Sequence, residues 1–130
     1  GLPQSQIVNI GQDVEGNIWL TTIGKGACQL KDNRFNCYDK SKGLTDNNTN
    51  SLLTDREGTL WITTFSGGIN RVTKQLVTSI STNEGLTDKN IYPLFQDRQE
   101  NIWIGAAAKL FQLKDGKIQE KSFGSQLRYD

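Results

Sequence analysis

The chain has 130 residues and contains no histidine, no methionine and only two cysteines. Without histidine, neither a Ser-His-Asp nor a Cys-His site can be built, and the commonest general base is missing. The two cysteines have eight residues between them and no second pair exists, which disfavours a CxxC redox centre or a zinc site. No metal or cofactor is expected. Charge of one sign is also lacking: 15 Lys and Arg stand against 14 Asp and Glu, with no run of either. Nothing therefore points to nucleic acid or to an anionic membrane as partner. No segment approaches the ~20 consecutive apolar residues of a membrane span. The opening residues "GLPQSQIVNI" lack the charged and apolar regions of a signal peptide. The chain does not begin with Met and is expected to be a processed or excised piece of a longer protein.

What is present is a repeat. "DVEGNIWLTT" at 13–22 returns as "DREGTLWITT" at 55–64 and "DRQENIWIGA" at 97–106, each 42 residues further on. Gly1-Leu2, Gly43-Leu44 and Gly85-Leu86 open the three copies, and Asp13, Asp55, Asp97 and Trp19, Trp61, Trp103 keep the period. Self-similarity at such a spacing marks a repeat architecture. Within a copy the apolar segments are about six residues long, rich in β-branched and aromatic residues and divided by turn signals, so they read as strands. Each copy is expected to form four antiparallel strands, giving an all-β fold of three four-stranded β-propeller blades of 42 residues. Blade 1 spans 1–42, blade 2 43–84 and blade 3 85–123. Residues 124–130 form a tail or the start of a further blade of the same domain.

Local chemistry assigns tasks to the repeated residues. In Asp-x-x-Gly, the carboxylate can bond nearby backbone N–H groups while Gly takes the left-handed position of a bulged turn. The third copy has Glu100 in that position, so its turn should be strained or differently closed. The three Trp residues are assigned to packing between blades rather than to ligand stacking, because a large flat indole fills the wedge between neighbours. Asp13, Asp55 and Asp97 are read as turn formers, since a catalytic residue should be singular.

The order Gly-Leu, polar loop, apolar strand, Asp-x-x-Gly-x-Leu/Ile-Trp-Ile, then Gly-Gly-Ile-Asn-Arg resembles the two-component regulator propeller repeat. "GLTDNNTNSLLTDREGTLWITTFSGGINRV" in the second copy carries the resemblance most fully. It implies a sensor: an extracytoplasmic propeller of a membrane-anchored hybrid histidine kinase or diguanylate cyclase, with the output module outside this segment. A periplasmic or extracellular location follows from that likeness. The third copy departs from the pattern, with Ala106-Ala107-Ala108-Lys109 in place of the Gly pair, so its second loop should have another shape. Because propellers have four to eight blades, three cannot close a ring. Either further blades of a parent chain or self-association is expected.

Alignment of "CQLKDNRFNC" with "FQLKDGKIQE" turns the outer hairpin of blade 1 at Asp32-Asn33 and sets Cys28 opposite Cys37. Their Cα atoms are then expected about 4.5 Å apart, near the short end of disulfide geometry. A cross-strand disulfide is feasible, and two small buried thiols are the alternative.

Candidate ligand positions lie on the loops entering the innermost strands and joining second to third strands: Gln6, Asn48, Asn50, Lys89 and Asn90 on one set, Thr22 and Phe65 on the other. Amides and hydroxyls there would suit a neutral, hydroxyl-rich ligand such as an oligosaccharide; solvated turn residues are the plain alternative. The leading functional reading is a ligand-binding or signal-relaying sensor fragment and not an enzyme. A propeller lyase or hydrolase, or an interaction scaffold, are the alternatives.

Overall fold

The computed structural model describes residues 4–73, 76–80, 86, 91–106 and 109–121. They form twelve strands in three sheets. The first holds β1 (Ile7–Gln12), β2 (Ile18–Thr22), β3 (Ala27–Lys31) and β4 (Arg34–Tyr38). The second holds β5 (Thr49–Thr54), β6 (Leu60–Thr64), β7 (Ile69–Thr73) and β8 (Leu76–Ile80). The third holds β9 (Ile91–Gln96), β10 (Ile102–Ala106), β11 (Lys109–Lys114) and β12 (Lys117–Lys121). Each is an antiparallel meander in chain order, the topology of a propeller blade. The chain is thus a partial propeller. A single 3-10 turn, Lys40–Lys42, links the first two sheets.

The first turn of each blade closes the same way. Gly16 N–H donates to the Asp13 carbonyl, Gly58 to Asp55 and Glu100 to Asp97, each at 3.1 Å. Glu100 takes φ 70°, beside 90° and 88° for the two glycines. The substitution of Gly by Glu therefore leaves the closure intact and holds an L-residue in the left-handed region, which costs conformational energy. The second loop does change shape. Four residues, 65–68, join β6 to β7, whereas β10 and β11 pair directly from Ala106 to Lys109 across 107–108, which lie outside the described residues.

In blade 1 the outer hairpin turns at Asp32 and Asn33, with φ 52° and 61°, and β3 pairs with β4 so that Cys28 opposes Cys37. The two form a disulfide with Cα atoms 3.9 Å apart.

Blades meet face to face. Between the first and second, Trp19 and Ala27 pack with Leu60, Ile62 and Val72; between the second and third, Trp61 and Ile69 pack with Ile102, Ile104 and Phe111. Leu44 and Leu86, the Leu of successive Gly-Leu openers, each join one of these cores. Trp19 and Trp61 are 3% and 5% exposed. Burying an indole removes roughly 150–250 Å² from water, an upper bound of about 4–6 kcal/mol each.

Candidate functional site

Two ends of the blade stack carry polar groups, and they differ in how those groups are used. At the turn end, each repeated Asp gathers several donors. Asp13 Oδ1 accepts from the backbone N–H groups of Glu15 and Asn17 at 3.0 and 2.9 Å, and Oδ2 from Trp19 Nε1 at 2.8 Å and Gln29 Nε2 at 3.1 Å. Asp55 repeats the pattern with Glu57 N, Thr59 N and Trp61 Nε1 at 3.0, 2.9 and 2.8 Å. Asp97 does so with Gln99 N, Asn101 N and Trp103 Nε1, each at 2.9 Å. Burial raises the carboxyl pKa of Asp13, but donation from Trp19, Gln29 and Asn17 outweighs it and holds the group below the usual carboxylate range. The Trp103 indole N–H, opposed by partial desolvation and helped by Asn101, does the same for Asp97. A carboxylate so stabilised as an anion is a poor proton acceptor, so these residues are suited to structure and not to general base work.

Among the described residues, a cleft opens at this end at each of the two blade junctions. The first, of about 280 Å³, is lined by Asp13, Glu15, Trp19, Gln29, Tyr38 and Leu60. Tyr38 stacks on Trp19 with centroids 5.4 Å apart, and Lys42 Nζ lies 5.3 Å from the Tyr38 centroid. The second, of about 370 Å³, includes Asp55, Trp61, Arg71, Gln96, Asn101 and Lys114. The Arg71 guanidinium sits over the Trp61 ring at 5.6 Å. Asn101 donates through Nδ2 to Asp97 at 3.0 Å, while its buried Oδ1 finds no hydrogen-bond partner among the described residues. Sequence reasoning missed these clefts. The constant six-residue step from Asp to Trp is the signal the sequence carries for them, because it sets each carboxylate beside its own indole N–H.

The opposite end holds the loops singled out from sequence. The structure brings Thr22, Asn48 and Asn50 to the junction of the first two blades, and Phe65 stands beside Asn48 within the second blade. Thr22 is enclosed: its hydroxyl donates to the Gly26 carbonyl at 2.7 Å and accepts from Lys25 N at 3.1 Å. Its backbone N–H donates to Thr49 Oγ1 at 2.9 Å, and Thr49 in turn donates to Gly26 O at 2.9 Å. The Asn50 carbonyl accepts from Thr21 Oγ1 at 2.6 Å, and the Asn48 carbonyl from Phe65 N at 3.0 Å. Asp46 Oδ2 accepts from Ser66 N and Oγ at 3.1 and 2.8 Å. Much of the polarity here therefore stitches strands and blades together. The side chains of Gln6 and Phe65 remain exposed, while Asn48 and Asn50 are half-buried. Lys89 and Asn90 lie outside the described residues. Among the described residues no cluster of metal-ligating side chains occurs.

The model of the two component regulator propeller family matches residues 43–66 and 85–108. No curated protein sequence matches the chain closely. Among solved structures, the extracellular domain of a hybrid two component system from B. thetaiotaomicron superposes with a TM-score of 0.79 at 22% identity, covering 92% of this chain and 18% of that one. A second such domain from the same organism gives 0.79 at 21%, covering 91% and 18%. Virginiamycin B lyase from Staphylococcus aureus gives 0.73 at 19%, covering 91% and 41%. The chain thus spans about a fifth of the two extracellular domains it resembles.

Proposed function

We infer, from the match of residues 43–66 and 85–108 to the model of the two component regulator propeller family, that the chain is part of an extracellular sensing propeller of a two-component-type signalling protein. The carrying observation is the repeat itself, set in blades that share the fold of two extracellular two component domains. In this reading the blades act as a rigid scaffold, and the loops around Gln6, Asn48, Asn50 and Phe65 present amides and an aromatic ring to a hydroxyl-rich ligand such as an oligosaccharide. Relay to a kinase or cyclase module proceeds by movement of the blades as units.

The ligand class is tested by thermal unfolding of the chain against a panel of oligosaccharides. A saturable rise in midpoint, lost in Asn48→Ala with Phe65→Ala, supports the reading. Unchanged midpoints across the panel at millimolar ligand count against an oligosaccharide and leave a protein partner as the sensed species.

The lyase likeness favours a second reading, an enzyme of lyase type. One lyase structure is of a protein made catalytically inactive by replacing a histidine with alanine and holds quinupristin. This chain contains no histidine. Chromatography and mass spectrometry of quinupristin incubated with the chain separate the two readings: unchanged compound agrees with the sensor, and a new product would require an enzyme.

A further inference from the structure

The clefts at the two junctions are built on the same turn, yet their carboxylates are not equally served. Asp13 Oδ2 accepts from Asn17 Nδ2, Trp19 Nε1 and Gln29 Nε2 at 3.1, 2.8 and 3.1 Å. Asp55 is the more deeply buried of the two, at 9% exposure, and its Oδ2 accepts from Trp61 Nε1 alone among the described residues. Two changes of residue cause the difference. Thr59 stands where the first blade has Asn17, and Arg71, paired with Trp61, stands where it has Gln29, paired with Trp19. Arg71 does not turn to Asp55. Its Nε donates to Thr78 Oγ1 at 2.9 Å and its guanidinium lies over the Trp61 ring. The fork of its two terminal nitrogens is thereby left without a hydrogen-bond partner among the described residues.

The facing blade adds a second unmet acceptor. Asn101 is 8% exposed, lines the same cleft as Asp55 and Arg71, and has no partner for Oδ1 among the described residues. A buried acceptor without a donor costs free energy that a bound N–H recovers. The charges around this cleft are unpaired as well. Among the described residues no ion pair joins Arg71 or Lys114 to Asp55, Glu57, Glu100 or Asp115, all of which line it. Both signs are thus kept apart around a space of about 370 Å³, within the ~300–1,000 Å³ of small-molecule sites.

We propose that the cleft between the second and third blades is a binding site for a free α-amino acid. Its ammonium donates to Asp55 Oδ2 and Asn101 Oδ1, the two buried acceptors short of donors, and its carboxylate takes the fork of Arg71. A neutral, hydroxyl-rich molecule would leave the Arg71 charge uncompensated, and a simple amine or a simple carboxylate would meet only half of the site. Glu57, Glu100, Lys114 and Asp115 are exposed at the rim, where water solvates them, and they steer the ligand rather than hold it. The first cleft lacks this chemistry, because Gln29 already serves Asp13 and no arginine lines it. The site lies at the end opposite the loops around Asn48 and Phe65 and does not depend on what those loops bind.

The test is thermal unfolding of the chain with each of the common L-amino acids at millimolar concentration, followed by calorimetric titration of those that act. A saturable rise in midpoint is expected for one or more of them. N-acetylation and carboxyl amidation of the same amino acid should each weaken binding roughly tenfold or more, because each removes one charged partner. These derivatives probe the native chain, so their result stands whether or not a variant folds. Arg71→Gln copies the residue that the first blade carries at this place and should lose binding to a similar degree while its midpoint without ligand holds. Arg71→Lys, which keeps the charge but not the fork, should fall between the two. No rise with any amino acid, derivatives that bind as tightly as the parent, or undiminished binding by Arg71→Gln would each overturn the proposal.

Discussion

The indole N–H of Trp61 donates to Asp55 Oδ2 at 2.8 Å while Asp55 Oδ1 accepts the turn's backbone N–H groups at 2.9 and 3.0 Å. One carboxylate thus ties the first hairpin turn to the wedge residue of its blade. Asp13 with Trp19 and Asp97 with Trp103 repeat the arrangement at 2.8 and 2.9 Å. Turn geometry and blade packing are therefore coupled through one hydrogen bond, not set separately.

Trp61→Phe keeps an aromatic ring in the second core but removes the donor to a buried carboxylate. Loss of a hydrogen bond to a charged group costs about 1.5–3 kcal/mol. Trp61→Ala, which also empties the space, should cost about 3–5 kcal/mol. In a dilute sample of single chains, Trp103→Ala should cost less, because one side of that indole faces no blade. Urea unfolding of the three variants checks the order; equal losses for Trp61→Ala and Trp103→Ala would contradict it.

The carboxyl groups of Asp13 and Asp97 are held below their ordinary pKa. A group depressed in the folded state stabilises fully above its unfolded pKa, about 3.9 for Asp, and that contribution is lost as pH falls through the lower folded value. Stability should thus decline below about pH 4. Between pH 5 and 8 it should stay flat, because the chain has no histidine to titrate there. Unfolding midpoints measured from pH 2 to 8 test both limbs, and Asp13→Asn should make the acid limb shallower.

Glu100 holds φ 70° at a position where the other two blades have glycine. Glu100→Gly should relieve about 1 kcal/mol or more of backbone strain, partly offset by the greater freedom of glycine when unfolded. A net gain of up to about 1 kcal/mol in denaturation is expected. Gly58→Glu should move the second blade in the opposite direction.

The disulfide between Cys28 and Cys37 closes a short loop within one hairpin. Cross-linking a loop of this size restricts the unfolded chain by an amount worth about 2–3 kcal/mol. Unfolding with and without reductant, compared with the Cys28→Ser, Cys37→Ser double variant, should show that difference for the native chain alone.

Much of the fold was legible in the sequence because its signals are local. Four strands per copy, the Asp-x-x-Gly turn and the opposition of Cys28 to Cys37 follow from alternation and turn chemistry over a few residues. The candidate site was legible only as composition. Asn and Thr in loops look the same whether they face a ligand or a neighbouring blade. Thr22 is an example: its hydroxyl is spent on the Gly26 carbonyl inside a junction.

What the sequence determined by itself was the unit and its number: three copies, 42 residues apart, each with its own turn, wedge and strand pattern. What only the tertiary structure decided was which side of each unit meets another. The residues that settle it, Gly11 with Leu52 and Trp61 with Ile102, are about forty positions apart in the chain. Their contact arises from the stacking of whole sheets, which no local preference encodes. The same stacking gives equivalent residues different surroundings. Trp19 and Trp61 are covered by a following blade, while Trp103, spelled identically, keeps one face open.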